Sequence, residues 1–282
     1  MPELPEVETI RRQAEPAIAG RVLETLEIPD ARWCEPLAPV ELADALEGRA
    51  VEAVKRRGKY LIVEFADEVF LLMHLRMTGT LLIDPAEVPK YERVRFTFSG
   101  GRTLHFCDPR RFGTGQLALG EPALDDFLNE RLGIEPLGDE LTGTRMRALA
   151  AGRRAPIKAF LLDQRRIAGV GNIYADEALF RAHIHPLRPA GSLSKMQYEL
   201  LAQTVRDALT AGLNAGGATI DDFRHPDGVS GAFQNEFLVH LRKGEPCVNC
   251  GRTIVKFVAA GRGTYACEHC QPKPRAAKRT IL

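Results

Sequence analysis

The sequence predicts an α+β protein: an N-terminal β-sandwich with flanking helices, then a helical domain, then a small cysteine-rich hairpin. Three observations carry this. Short apolar or alternating runs, punctuated by Gly, Pro and Asp, fill the chain to about residue 133. Beyond that point apolar positions recur every three or four residues as far as residue 213. Four of the six cysteines then fall as two CxxC pairs near the C-terminus. At 282 residues, 45% apolar and 27% charged, the chain can bury two cores and carry an appendage. The expected domains are 1–133, 134–241 and 242–282.

The elements follow in order. MPELPEVE starts a helix that should end near Gly20, since proline suits a first turn and acids there complement the helix dipole. ELADALEG, 41 to 48, is a second short helix. KYLIVEF, VFLLMHL, TLLID, RVRFTF, TLHFCD and GQLAL are strands, with SGGRT as a hairpin turn. IEPLGDEL, 134 to 141, is expected as a linker. Four helical patterns follow: TRMRALAAG, PIKAFLLDQ, IYADEALFRA and SKMQYELLAQTVRDALTAGL. GGATIDDFRHPDGVSGAFQNE is a long Gly-rich and polar loop, a kind usually functional or mobile. TIVKFVAAG is β-rich, and GRGT is expected to supply the turn of the final hairpin.

Pro2 admits two readings. It starts a helix, or it becomes the true N-terminus once Met1 is removed, as a small second residue usually permits. An α-amino group has a pKa near 7.7 to 8.0, so about a tenth of it is neutral and nucleophilic at pH 7. Such an amine can attack a carbon and form an iminium. Three carboxylates, Glu3, Glu6 and Glu8, lie in the next six positions.

Cys247-x2-Cys250, sixteen residues, then Cys267-x2-Cys270 is zinc-ligand spacing. Two disulfides are the alternative, better suited to secreted chains. Four thiolates would close the coordination sphere, so this zinc is structural and catalysis lies elsewhere. His269 reads as exposed, and Cys34 and Cys107 as buried thiols without partners. Net charge is only +1, but residues 242–282 hold nine basic and two acidic side chains, net +7, leaving 29 basic against 35 acidic before them, net −6. Such asymmetry suits a phosphate-binding module or a solvated basic tail. IAGVGNIYADE places two glycines and Asn172 between helices, either as a phosphate-binding turn or as ordinary capping by Asn172. DPRRFG, 108 to 113, joins two arginines to an aromatic on a strand-end loop, and Met77 lies in a second such loop, MTGT. Met and Phe there are either core or wedges into a DNA stack.

PELPEVE, RRGKYL, DPRRFG, GVGNIYADE and the CxxC…GRGT…CxxCQ ending, in order over nearly the whole chain, together resemble the bacterial formamidopyrimidine-DNA glycosylase family. The resemblance implies a β-sandwich, then a helix-two-turns-helix motif and a zinc finger, with DNA between the domains. It implies excision of oxidised purines by Pro2 attack on the sugar C1′ and strand cleavage by β- and δ-elimination. Glu3 would be the proton donor and Glu6 a supporting residue. Lys59, Asn172 and Arg262 would meet phosphates around the everted nucleotide, Lys59 and Arg262 at the reacting site, and His74 the backbone. Met77, Arg110 and Phe112 would fill the vacated stack, with Arg110 facing the orphaned cytosine. The loop from Gly216 to Phe233 would cap the lesion, and the main-chain carbonyl of Ala218 would accept the N7 hydrogen that oxidised guanine carries and guanine lacks. The resemblance implies one zinc on Cys247, Cys250, Cys267 and Cys270, no redox cofactor, and a monomer acting on duplex DNA that contains oxidised purines or abasic sites.

Ala218 and Asp221 stand where the family more often has a small hydroxyl residue and an arginine, Arg76 replaces a glycine, and the tail after Gln271 is long. These departures bear on base preference. Endonuclease VIII, a relative preferring oxidised pyrimidines, more typically begins PEGPE, so Leu4 favours the purine enzyme. A DNA-binding zinc module on an inert scaffold is the reading from another class. No basic-then-apolar leader and no membrane-length apolar run occurs, so no membrane partner is expected and the location is cytoplasmic, on the bacterial nucleoid.

Overall fold

The computed structural model describes residues 2–219, 226 and 231–274. They form two compact units: Met1–Leu132 with Ala211–Asn235, and Gly133–Thr210 with Glu236–Leu282.

The first unit holds two four-stranded antiparallel sheets. One orders β1 (Leu23–Glu27), β6 (Glu92–Phe98), β7 (Arg102–Cys107) and β5 (Thr80–Ile83). The other orders β2 (Val51–Arg57), β3 (Tyr60–Phe65), β4 (Val69–His74) and β8 (Thr114–Leu119). Alternate residues of both sheets, among them Phe96, Phe106, Leu61 and Leu71, share one core with Val7, Ile10, Ala14 and Ile18 of helix α1 (Leu4–Ile18). Those helix positions recur every three or four residues and make the face that packs. Every residue of β4 is buried, which explains its unbroken apolar run. Helix α2 (Pro39–Leu46) buries Leu42 and Leu46.

Two strands, β1 and β2, lie outside the expected set. Each carries a bulge, at Leu23/Thr25 and Val51/Ala53, so its buried residues are Leu23 and Leu26, and Val51 and Val54. A bulge adds one residue and converts an apolar spacing of two into three, which hides the strand from a period-two reading. Helix α3 (Glu121–Arg131) was likewise not expected within the strand-rich region, and it buries only Leu124.

In the second unit, IEPLGDEL is no free linker. Ile134, Pro136 and Leu141 are buried, and Ile134 bridges Ile167. Gly133 is needed here, because a Cβ would lie 2.4 Å from the Arg166 carbonyl oxygen. The expected helices are α4 (Gly143–Ala150), α5 (Ile157–Leu162), α6 (Asn172–Arg181) and α7 (Lys195–Asn214), the end of α7 belonging to the first unit. Thr142 caps α4, accepting from the Arg145 N–H at 3.1 Å. Ser194 and Gln197 cap the start of α7 reciprocally, at 3.2 and 3.0 Å. The final hairpin pairs β9 (Val255–Ala259) with β10 (Arg262–Ala266). Its turn is Ala260–Gly261, both with positive φ, so Arg262–Thr264 of GRGT lie in the strand rather than in the turn. No helix among the described residues is long and apolar enough to cross a membrane.

Candidate active site

Helix α1 begins at Leu4, with Pro5 in its first turn and Pro2 and Glu3 immediately before it, both buried. The three opening carboxylates separate by environment. Glu8 sits among Arg11, Arg12 and Arg56 at 3.0 to 3.1 Å; burial pushes its carboxyl up, but these arginines outweigh it and hold it low. Glu6 uses Oε2 to accept the Glu3 N–H at 2.7 Å and Oε1 to accept the Ala218 N–H at 2.8 Å. It joins the start of α1 to the chain after α7. Glu3, next to Pro2 in the chain, is also buried.

Lys59 lies in the Gly58–Lys59 turn joining β2 to β3, where Gly58 has a φ of 58°. The Arg56 guanidinium donates to the Gly58 carbonyl at 2.9 Å, so this turn is braced by the arginine that also meets Glu8. His74 ends β4, opposite Tyr60, whose ring it meets edge-on at 4.8 Å. Its Nδ1 accepts the Arg76 N–H at 2.9 Å. Burial, then the charges of Arg76 and Lys59, push its pKa down to about 3, so the imidazole is neutral with its proton on Nε2.

Met77, Arg110 and Phe112 occupy two loops tied together by one carboxylate. Asp108, fully buried, accepts from the Thr78 hydroxyl and from the N–H groups of Arg110, Phe112 and Gly113, the last two at 2.8 Å. Arg111 turns back to grip Asp30 with Nε and Nη2, each at 2.6 Å, holding that carboxyl down at about 2. Arg110 remains exposed and lies over the Phe112 ring at 4.8 Å, while Phe112 is 50% exposed. A half-exposed Phe beside an exposed guanidinium is not a core arrangement, and Met77 is only partly buried. Neither loop owes its shape to Met77, Arg110 or Phe112 themselves. Asp108 does that work, a role the sequence analysis did not single out although DPRRFG begins with it.

In the second unit, Asn172 is the first residue of α6 and makes no capping bond; its amide nitrogen donates to the Gly263 carbonyl at 3.0 Å. The turn before it is braced by Gln164, which accepts the Gly169 N–H and donates to Val170, each at 2.8 Å. Arg262 opens β10 with its side chain exposed and no partner among the described residues. Behind it lies a polar joint that sequence reasoning missed. Lys158 and Asp176, both fully buried, pair at 2.7 Å; Lys158 also donates to Thr264 at 2.8 Å, and Asp176 meets His240 at 2.9 Å. Glu177, equally buried, accepts the consecutive N–H groups of Leu238, Val239 and His240. The available signal was the acid pair in IYADE, set in an otherwise apolar helix.

The four ligand sulfurs of Cys247, Cys250, Cys267 and Cys270 lie within 4.8 Å of one another, with no disulfide. Tetrahedral zinc with bonds of about 2.3 Å needs sulfurs about 3.8 Å apart. The Cys247–Cys270 and Cys250–Cys267 separations are 3.8 and 3.5 Å, so the residues fit one structural zinc. His269 is exposed as expected, and Cys34 and Cys107 are buried. Burial, then Glu92, pushes the Cys107 thiol up to about 12.

Ala218 is buried, and among the described residues its carbonyl accepts no hydrogen bond. Asp221, most of the Gly216–Phe233 loop and the tail from residue 275 lie outside the described residues.

A sandwich with buried carboxylates at its N-terminal helix, and a helical unit with a four-cysteine finger, define a two-unit zinc-finger protein. Residues 1–115 match the formamidopyrimidine-DNA glycosylase N-terminal domain, 132–224 its H2TH domain, and 244–273 the zinc finger found in FPG and IleRS. A formamidopyrimidine-DNA glycosylase of Stenotrophomonas maltophilia is 44% identical over 276 residues, covering 96% of this chain and all of that one. The crystal structure of the MutM (Fpg) protein of Thermus thermophilus is 40% identical with a TM-score of 0.88, covering 97% of this chain and 100% of its own. The Lactococcus lactis Fpg in complex with abasic-site DNA is 35% identical with a TM-score of 0.89, covering 96% and 100%. The chain belongs to the formamidopyrimidine-DNA glycosylase family, DNA glycosylases that act on damaged DNA.

Proposed function

We propose that this chain is a bifunctional glycosylase and abasic-site lyase that removes oxidised purines from duplex DNA. The observation that carries the reading is the start of α1, where buried Pro2 is followed within four residues by two buried acidic side chains, Glu3 and Glu6. Once Met1 is removed, the Pro2 lone pair attacks C1′ and the base leaves with the glycosidic electrons. Glu3 protonates the ring oxygen as the sugar opens, and the resulting iminium acidifies the C2′ hydrogen for β-elimination, with δ-elimination following. Glu6, both oxygens already engaged, holds this turn in place rather than moving a proton.

Lys59, Asn172 and Arg262 contact phosphates, and neutral His74 donates to the backbone from Nε2. Met77 and Phe112 wedge the stack, and Arg110 faces the opposite cytosine, whose O2 and N3 accept from it. The Ala218 carbonyl reads the N7 hydrogen of the oxidised purine. Zinc on the four cysteines keeps the hairpin that presents Arg262 folded. The protein works as a monomer with segments 1–133, 134–241 and 242–282 as its domains, and needs no redox cofactor. Solved complexes of the Lactococcus lactis Fpg support the substrate: one holds abasic-site DNA, and another, of a point mutant, holds Fapy-dG DNA.

The test is an uncleaved N-terminal extension, or Pro2→Gly, assayed for strand cleavage and DNA affinity in parallel. Cleavage should be lost, with binding within about threefold of wild type. Undiminished cleavage by the extended protein would refute the N-terminal amine.

A further inference from the structure

The backbone leading to Ala218 is held by a closed set of hydrogen bonds between two short stretches, 215–219 and 231–234. The Ala232 N–H donates to the Ala215 carbonyl at 2.9 Å, and the Phe233 N–H to the Gly217 carbonyl at 3.0 Å. Two side chains complete it. Thr219 accepts the Gly231 N–H on its hydroxyl at 2.8 Å and gives its own N–H to Gln234 Oε1 at 2.9 Å. Gln234 Nε2 donates back to the Gly231 carbonyl at 2.7 Å. Glu6 fixes the far side through the Ala218 N–H.

The packing leaves no slack. A Cβ on Gly231 would lie 2.3 Å from the Gly217 carbonyl oxygen, and one on Gly217 would lie 2.9 Å from Glu6 Oε1. The Gly217 φ of 80° is open to few other residues. Phe233 is fully buried beneath this neck. Every polar group named here is therefore spent on one backbone segment, the one whose carbonyl at Ala218 stays free of partners among the described residues.

We propose that Thr219 and Gln234 are positioning residues for base selection: they aim the Ala218 carbonyl at the purine N7 hydrogen. This rests on the reading of Ala218 given above. Discrimination by one acceptor requires its direction to be fixed, since a hydrogen bond weakens steeply as its angle departs from linear. Gln234 is suited to the task because it both donates and accepts, locking the two stretches to each other rather than to solvent.

An abasic site has no base to read, which gives the test its control. Thr219→Val removes the hydroxyl at nearly constant volume, Thr219→Ser restores it, and Gln234→Glu keeps the acceptor while removing the donor. For Thr219→Val and Gln234→Glu, kcat/KM for excision of 8-oxoguanine opposite cytosine should fall about tenfold, the scale of one lost buried hydrogen bond. Cleavage of an abasic duplex should stay within about twofold, and Thr219→Ser should recover most of the excision rate. Equal losses on both substrates, or no loss on either, would overturn the proposal while leaving the underlying enzyme intact. A wild-type protein that fails to prefer 8-oxoguanine over guanine would instead remove the reading of Ala218 on which it rests.

Discussion

The two units put buried charge to different uses. In the first, polar side chains are set into a fold already secured by apolar burial: Glu6 and Asp108 accept backbone N–H groups, and Asp30 takes an arginine reaching in from the surface. Its core spans both sheets and α1 without them. In the second, the polar groups are much of what holds the finger. The apolar cluster around it contains Phe180, Val239, Ile254 and Tyr265, and its other two buried members are the ligands Cys247 and Cys267. The surrounding joint is a fully buried Lys158–Asp176 pair and a carboxylate, Glu177, spent on three N–H groups. Altering site geometry in the first unit should therefore leave it folded, whereas in the second the same kind of change should remove the scaffold.

Metal removal sharpens this contrast most. Structural zinc in finger peptides contributes on the order of 10 kcal/mol, so chelation should abolish hydrogen-exchange protection in Val255–Ala259 and Arg262–Ala266 while β3 and β4 keep theirs. Retained hairpin protection in zinc-free protein would break the comparison. Next in size is the buried pair. Asp176→Ala strands the Lys158 ammonium and should cost about 3–5 kcal/mol in denaturant unfolding of the second unit. The double change Lys158→Met with Asp176→Leu should recover most of that loss, because the pair costs desolvation that apolar side chains do not; a double variant as unstable as the single would contradict it.

The smallest effect belongs to His74. Its folded pKa, about 3, lies below the unfolded value near 6.5, so the unfolded chain binds the extra proton and stability is lost as pH falls through that window. Between pH 7.5 and pH 5, wild type should lose about 2 kcal/mol more than His74→Gln, measured as the change in unfolding free energy for each protein. An equal loss in both would remove His74 as the source.

Much of this was legible in the sequence, for reasons tied to particular elements. Strand β4 announced itself because both its faces are buried, and α7 because Ser194 and Gln197 cap a long amphipathic pattern. The finger followed from cysteine spacing alone. Strands β1 and β2 stayed hidden because their bulges imitate a helical apolar period. Lys158, Thr219 and Gln234 were invisible for a different reason: each acts on residues it meets only after folding, Lys158 on Thr264 more than 100 positions away. Asp108 was half legible, since Arg110, Phe112 and Gly113 follow it closely in the chain and only Thr78 is a distant partner. Asn172 shows both sides, since its place at a helix start was readable, but its bond to Gly263, 91 residues on, was not.

The most direct measurement is borohydride trapping on duplexes carrying one 8-oxoguanine opposite cytosine, with an oxidised-pyrimidine duplex alongside, followed by peptide mapping. The account expects a covalent adduct at Pro2, formed faster on the oxidised purine. An adduct at a lysine, a preference for the pyrimidine, or no adduct on either duplex would contradict it.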